Sequence, residues 1–325
     1  MTTKTDVPLL VEESEWRLED GLGGYSWGTS SGISTRRGQA FLATARDGRT
    51  YVLVNGFEVW VTTPAGRFAI SSHRFAPDHV HPDGAWRIQE FTTRPWPRWR
   101  YRLDDGTHVI QEITAVPGHA LAAIRWSLTE PAKGCSIEIR PFLSGRETAA
   151  LHKENSSFRW PAEVRGWRVT WRPYDGVPDI SMVANARYSA DPHWYHNFLY
   201  LADGGAEDLA SPGVFRAPLA WGTPVEIVMA AGWDAVIEGM ILPDKPVLWA
   251  DPDAPKGVPA PPVPATPPGK VPAKRRRRPP AARKTKPKKA PPKRAVAKKR
   301  TPSVRKDKTA RRGKGGRPRR KKGRR

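Results

Sequence analysis

The residues with the clearest capacity for chemistry lie in a glycine-rich segment, residues 21–37, with the sequence GLGGYSWGTSSGISTRR. Its aromatic rings offer flat faces suited to the apolar face of a pyranose, and its hydroxyl and guanidinium groups suit the ring oxygens. The segment is therefore a candidate carbohydrate-binding site. Its candidate residues are Tyr25, Trp27, Thr35, Arg36 and Arg37. The alternative, which the residue pattern alone favours, is that both aromatic rings cover an edge of the fold and that the arginines pair with acidic side chains.

The glycines of this segment do not form a phosphate-binding motif. Gly21 and Gly23 begin a G-x-G pattern, but Ser26 occupies the position of the third glycine and no Gly-Lys-Ser/Thr follows. Glycine costs about 1 kcal/mol at a helical position, and hydroxyl side chains compete for backbone hydrogen bonds. The segment is therefore predicted to be a loop on which the aromatic residues are mounted.

Hydrolysis of a glycosidic bond needs two carboxylates about 5 to 9.5 Å apart, one of them with a raised pKa. The acidic residues do not suggest such a pair, since Asp47, Asp104, Asp105 and Asp175 all belong to predicted turns. No catalytic residue is assigned.

Three histidines lie close together in the sequence. His79 and His81 would point to one face of a strand, as two metal ligands do, and His73 lies nearby. The sequence supplies no convincing further ligand, and Pro77 and Pro82 indicate a loop. Neither a metal site nor a cofactor is predicted.

Tryptophan and arginine alternate through RPWPRWRYR, residues 94–102. Such pairs can stack as cation–π contacts, which would suit a glycan or a protein partner. Strand residues that alternate between core and solvent give the same pattern, and this interpretation is favoured. The residues concerned are Trp86, Arg94, Trp96, Arg98, Trp99, Arg100 and Trp126.

The elements that would carry these residues are almost all strands. From residue 50 onward the sequence alternates and is rich in Val, Phe, Tyr, Trp and Thr, with Gly, Pro and Asp at the turns. Helical periodicity is confined to a short turn at residues 207–209. The pattern predicts an all-β fold, a large antiparallel β-sandwich (super-sandwich) over residues 12–235 after a flexible leader, residues 1–11. The predicted strands are residues 50–62, 67–74, 99–103, 107–116, 120–129, 135–143, 168–172 and 225–231.

Charge divides the chain into two parts. Residues 251–325 contain 30 Lys and Arg against 3 Asp and Glu, which leaves 25 basic and 29 acidic residues before them. The net charge is therefore +27 after residue 250 and −4 before it. Proline and alanine predict a linker over residues 236–269, and the composition of residues 270–325 predicts a disordered polybasic tail.

The polybasic tail predicts binding to DNA or RNA, because many closely spaced cations displace counterions from phosphates. Its Gly316-Arg317-Pro318-Arg319 segment resembles the core of an AT-hook, and its composition resembles linker-histone-like tails. The alternative is a solubilising segment or a shifted reading frame. The candidate nucleic-acid-binding residues are Lys274, Arg275, Arg276, Arg277, Arg278, Arg317 and Arg319.

The chain has one cysteine, Cys135, which excludes an internal disulfide and a cysteine-based zinc site. The N-terminus has no signal-peptide pattern, and no apolar run approaches the roughly 18 residues of a membrane span. These observations predict a cytoplasmic protein without a membrane partner, associated with the nucleoid if the tail binds DNA.

Several motifs together resemble the N-terminal domain of bacterial and archaeal glycogen debranching enzymes. The resemblance covers residues 12–235. One departure is Gly38-Gln39, where the family usually continues with Tyr-His. The matching motifs are Glu15-Trp16, Gly21-Leu22-Gly23-Gly24-Tyr25, Gly28-Thr29, Gly32, Thr35-Arg36-Arg37, Val54-Asn55-Gly56-Phe57, Arg98-Trp99-Arg100, Arg140 to Arg146, Arg165-Gly166, Trp171 to Tyr174, Trp194-Tyr195 and Asn197-Phe198.

This resemblance implies a carbohydrate-associated domain without catalysis of its own, because the family's glycosidase activity resides in a helical domain that does not follow here. The implied partners are an α-glucan or a separate helical glycosidase domain, and Glu207-Asp208 is expected to be a surface motif. Two alternatives stay open. One is a nucleoid-associated DNA-binding protein with a purely structural sandwich, and the other is a truncated or frameshifted debranching enzyme.

Overall fold

The computed structural model describes residues 13–233 and Trp249. Within these residues the chain forms 18 strands and one short 3-10 helix, Gly84–Arg87. The strands are β1 (Glu15–Glu19), β2 (Tyr25–Thr29), β3 (Ala40–Arg46), β4 (Arg49–Thr63), β5 (Gly66–Ala69), β6 (His73–Phe75), β7 (His79–His81), β8 (Ile88–Thr92), β9 (Arg98–Arg102), β10 (His108–Ala115), β11 (Leu121–Leu128), β12 (Ser136–Glu147), β13 (Ala162–Arg165), β14 (Arg168–Trp171), β15 (Ile180–Ala184), β16 (Arg187–Leu199), β17 (Ala206–Pro218) and β18 (Val225–Ala231).

The strands form two antiparallel sheets. Sheet A has ten strands in the order β1-β2-β3-β4-β12-β17-β16-β6-β7, with β5 paired to β4, and sheet B has eight in the order β13-β14-β15-β18-β11-β10-β9-β8. Neighbours in sequence mostly pair as hairpins, whereas the long strands β4, β12 and β17 are brought together from distant parts of the chain. The predicted all-β antiparallel fold is confirmed.

Large aromatic side chains hold the two sheets face to face. Phe57 of sheet A meets Trp126 of sheet B edge-on, with 6.1 Å between the ring centroids, and Phe215 meets Trp171 at 6.5 Å. All four rings are at most 3% exposed. Edge-to-face pairs contribute about 0.5–1.5 kcal/mol each beyond their buried area. The inner residues of both sheets form one continuous hydrophobic core.

The prediction that residues 21–37 form a loop is wrong at its centre, which is strand β2. Strand β2 contains Gly28, and the Trp16 side chain of β1 is the reason that a glycine is needed there. A Cβ on Gly28 would lie 2.8 Å from Cζ2 of the Trp16 ring, so the glycine admits the indole rather than making a turn. The glycine in β2 therefore marks close packing against Trp16 and not a loop.

Two shorter predictions are also wrong. The expected helical turn at residues 207–209 is part of β17, because tertiary pairing with β16 outweighs the local pattern there. His79 and His81 lie in strand β7, which pairs with β6 in a hairpin instead of lying in a loop.

The polybasic residues Lys274, Arg275, Arg276, Arg277, Arg278, Arg317 and Arg319 lie outside the described residues, as do the leader and most of the linker. In the part of the chain that the structure describes, no helix is long and apolar enough to cross a membrane.

Candidate functional site

A buried ion pair holds in place the segment on which the candidate site is built. Arg146 at the end of β12 donates from Nε to Oε2 of Glu207 at 2.6 Å and from Nη2 to Oε1 at 2.8 Å, and the side chains are 5% and 0% exposed. Desolvation makes such a pair costly unless further hydrogen bonds satisfy both groups. The expectation that Glu207-Asp208 is a surface motif is therefore wrong, since both residues are buried.

The further hydrogen bonds of this ion pair come from four parts of the chain. Glu207 accepts from Nδ2 of Asn55 at 3.1 Å, from the hydroxyl of Tyr200 and from the backbone N of His152 at 3.0 Å. Burial and the neighbouring Glu207 carboxylate raise the pKa of Tyr200 well above its usual value, so its hydroxyl stays a donor. Arg146 also donates to the carbonyl of Arg37 at 2.6 Å.

Asp208 fixes the adjoining segment, which is the chain between β12 and β13. Its carboxylate accepts from the backbone N of Glu154 at 3.2 Å and of Asn197 at 3.0 Å, and its own N–H donates to the carbonyl of His152 at 2.9 Å. Burial disfavours the ionised carboxylate, but these backbone donors outweigh it and lower the pKa of Asp208. The two acidic residues thus hold residues 152–154 against sheet A.

An aromatic cluster rests on this segment. The Trp160 and Trp194 rings meet edge-on at 5.3 Å, and Phe158 lies 4.8 Å from Trp160. His152 lies 5.4 Å from Trp194 and is joined through Nε2 to the hydroxyl of Tyr174 at 2.7 Å. Phe158 and His152 are buried, whereas Trp160 and Trp194 are half-buried. The two indoles therefore present part of their surface to solvent.

The exposed side of this cluster forms an open groove, called the aromatic groove below. It consists of two adjoining depressions that share Glu154 and Asn155. Trp160, Trp194 and Ser156 line the first, and a longer set of polar and aromatic residues lines the second. That set includes Arg49, Tyr51, Lys153, Tyr174 and Asp175. Indole faces beside amide, hydroxyl and charged groups can bind a ligand with one apolar and one polar side.

Two carboxylates around the groove, Asp175 and Asp208, are held in the ionised form. The Arg159 guanidinium lowers the pKa of Asp175, and Asp208 is shifted in the same direction. A general acid needs the opposite shift. Burial raises the pKa of Glu13 and Glu226, but neither residue lines the groove.

Tyr25 and Trp27 of the predicted site lie on the outer face of sheet A. The hydroxyl of Tyr25 donates to the carbonyl of Gly38 at 2.9 Å, and the guanidinium carbon of Arg17 lies 3.9 Å from the Tyr25 ring centroid. Trp27 is half-buried and its Nε1 lies 3.3 Å from a carboxylate oxygen of Glu15. Arg17 therefore covers one face of the Tyr25 ring, and that face is closed to a sugar.

Arg36 and Arg37 are paired with acidic groups. Arg36 bonds Glu15 at 3.0 Å and Asp203 at 3.4 Å, and Arg37 donates from its backbone N to Asp203 at 2.9 Å. The backbone N of Thr35 is held by a side-chain amide. This geometry matches the alternative reading of the segment, and carbohydrate binding at these five residues stays a prediction.

The tryptophan–arginine pattern of residues 94–102 divides between the two faces of sheet B. Trp99 and Trp126 are 1% and 0% exposed in the core, while Arg98 and Arg100 are half-buried on the opposite side. The core-and-surface interpretation is confirmed for these residues. Trp96 is also buried, but it packs on the outer face.

The three histidines do not come together with other ligands. Among the residues that the structure describes, no group of three His, Cys, Asp or Glu side chains is placed to hold a metal ion. His73 instead packs edge-on against Phe142 at 5.0 Å and Phe198 at 5.4 Å.

His73 is expected to make the fold sensitive to acid. Burial lowers its pKa to about 3, whereas the unfolded chain has a histidine pKa of about 6.5. The unfolded state therefore binds the proton first, and stability present above about pH 6.5 is lost as the pH falls, by at most about 1.4 kcal/mol per pH unit. Urea unfolding at pH 7 and pH 5 should show a smaller loss in a His73→Leu variant. Equal losses in both proteins would contradict this assignment.

The fold and the groove place the chain in the class of large antiparallel β-sandwich proteins, with an open aromatic groove beside one sheet. The chain matches the family described as "Glycogen debranching enzyme N terminal" over residues 14–226, more than half of its length. It belongs to this family, which confirms the resemblance to the N-terminal domain of glycogen debranching enzymes. A comparison with curated proteins found no match.

Proposed function

We propose that this chain is a non-catalytic α-glucan-associated module, related to the N-terminal module of the bacterial and archaeal debranching enzymes, and that glucan binds in the aromatic groove. The observation that carries the proposal is the placement of two half-buried indoles, Trp160 and Trp194, beside the polar residues 154–156. The class of sugar, an α-glucan, is inferred from family membership. A separate helical glycosidase domain is the protein partner that fits this role.

The groove is suited to weak binding of a chain rather than tight binding of one sugar. It is open to solvent, and its two indoles pack against each other beside His152, whose backbone Glu207 holds, so a glucan would meet a preformed surface. The indoles can stack on the apolar faces of successive pyranoses, while Glu154 and Ser156 can bond their hydroxyl groups. A dissociation constant on the order of 1 mM corresponds to only about 4 kcal/mol, which a few such contacts supply.

Replacing Trp194 with alanine is expected to weaken binding of a linear maltooligosaccharide at least about tenfold, because about 1.4 kcal/mol of stacking is lost. Trp160→Ala should act in the same direction. Titration followed by calorimetry measures both. The matched control is Trp221→Ala, since that indole is 48% exposed and does not line the groove.

Unchanged affinity in the Trp194 variant would overturn the groove assignment. Loss of binding in Trp27→Ala alone would instead place the glucan on the glycine-rich segment. The purified protein is expected to release no reducing sugar from a branched α-glucan. Clear release would contradict the non-catalytic role and favour an active enzyme.

A second function is proposed for the polybasic tail, which is binding to DNA or RNA with little sequence preference. The supporting observation is the net charge of +27 on residues 251–325, where 30 basic residues are interleaved with proline, alanine and glycine. This binding would be independent of the sandwich, whose charge has the opposite sign. It would also place the protein at the nucleoid.

A further inference from the structure

The outer face of sheet B carries a ladder of alternating charges. Arg98, Glu112, Arg125 and Glu226 are register neighbours on the four adjacent strands β9, β10, β11 and β18. Glu112 accepts from Nε of Arg125 at 2.7 Å and forms an ion pair with Arg98 at 3.6 Å. The ladder therefore fixes the Arg125 guanidinium in one orientation.

Two indoles flank this guanidinium. Trp96 donates from Nε1 to Glu112 at 3.0 Å, and its ring lies 5.8 Å from the guanidinium carbon of Arg125. Trp249 lies over Arg125 at 4.0 Å, meets the Trp96 ring edge-on at 5.4 Å and donates from Nε1 to Glu226 at 3.0 Å. Trp96, Arg125 and Glu226 thus form three sides of a pocket, and Trp249 fills it.

We propose that this pocket is a receptor for an indole side chain, which the chain itself supplies through Trp249. The three contacts use three properties of an indole, namely a π face for the cation, a ring edge for Trp96 and an N–H for the carboxylate. Phenylalanine lacks the donor, and a tyrosine hydroxyl lies in a different place on the ring. The docked indole ties the chain to sheet B at a position 18 residues beyond the end of β18.

The partial burial of Glu226 supports a specific role for the indole N–H of Trp249. Burial raises the pKa of Glu226, and the hydrogen bond from Trp249 acts in the opposite direction. A partly buried carboxylate without its donor is costly. The pocket therefore favours an occupant that can donate to Glu226.

Cleavage after Glu238 by a glutamate-specific protease tests, in the full-length protein, whether Trp249 attaches the chain to sheet B. Trp249→Ala should raise this cleavage rate at least about fivefold, because the chain that follows β18 then loses its second attachment to sheet B. Trp249→Phe should give an intermediate rate, and the Trp221→Ala control should match the wild type. Mass spectrometry identifies the cut. A wild-type rate in the Trp249→Ala protein would overturn the proposal.

A second measurement tests whether the pocket recognises an indole, and it does not depend on protease cleavage. A labelled peptide of residues 245–253, KPVLWADPD, should bind the Trp249→Ala protein at least about tenfold more tightly than the same peptide with alanine in place of tryptophan. Fluorescence anisotropy measures both affinities, and circular dichroism confirms that the variant is folded. Equal binding of the two peptides would show that the pocket does not recognise an indole.

Discussion

Replacing Glu207 with alanine is expected to lower the free energy of unfolding by about 3–5 kcal/mol, because it leaves a buried arginine without its partner. The Arg146 guanidinium would lose two hydrogen bonds, and Asn55 and Tyr200 would lose the acceptor they share. The backbone of His152 would also be released, so glucan affinity should fall in the folded fraction. Urea unfolding followed by tryptophan fluorescence measures the stability.

Two comparisons separate this buried pair from ordinary surface charges. The double variant Arg146→Met/Glu207→Leu should lose less stability than Glu207→Ala, since no unpaired charge stays buried. Arg49→Ala removes an ion pair with Glu147 whose side chains are 63% and 48% exposed, and it should cost less than about 1 kcal/mol. A Glu207→Ala loss as small as that of Arg49→Ala would mean that the pair does not stabilise the fold.

The hairpins with clear turn signals could be predicted from the sequence. The hairpin formed by β4 and β5 and the one formed by β9 and β10 combine alternating apolar residues with Gly- or Asp-containing turns, and both are present. Their information is local, because the pleat repeats every two residues and the turn is a few residues long. Local sequence patterns are therefore sufficient to predict these two hairpins.

Strands β16 and β17 escaped prediction for a physical reason. Most of β16 is exposed or half-buried on both faces, so it shows no alternation between apolar and polar residues. Its pairing with β17 is interrupted by two register shifts, and Asn197 adopts a positive φ of 65°. Each shift exchanges the faces of the strand and erases the period of two. The buried Glu207 at the start of β17 added a charged residue where a core residue would be expected.

The aromatic groove could not be predicted from local sequence patterns, because its residues come from distant segments of the chain. Trp160 and Trp194 are 34 positions apart in the sequence, yet their rings meet at 5.3 Å. Nothing in either neighbourhood marks them as a pair. The motifs containing Trp194-Tyr195 and Trp171 to Tyr174 contributed to the family resemblance, and they were the one available signal. The glycine-rich segment has a dense pattern of glycine, aromatic and hydroxyl residues, but its arginines are paired with Glu15 and Asp203.

Removing residues 251–325 is expected to abolish binding to duplex DNA in a mobility-shift assay, while those residues alone retain it. If 6 to 10 of their cations contact phosphates at once, the affinity of the full chain should fall about 10³- to 10⁵-fold between 50 and 200 mM salt. The truncated protein, with a net charge of −4, should repel the duplex. Preference for A·T-rich DNA through Arg317 and Arg319 should be slight, because the AT-hook-like segment is four residues long.

Replacing the run Arg275 to Arg278 with glutamine provides a matched control, since it removes four charges and leaves the spacing unchanged. The logarithmic salt slope should become shallower by up to about 3.6 if all four arginines contact phosphates, because each contact contributes about 0.9 on duplex DNA. An unchanged slope would exclude these arginines from the contact. Binding by the truncated protein at 150 mM salt would contradict the assignment to the tail and reveal a DNA-binding surface on the sandwich. Residues 94–102 would then be the first to substitute, since Arg98 and Arg100 face outward from sheet B.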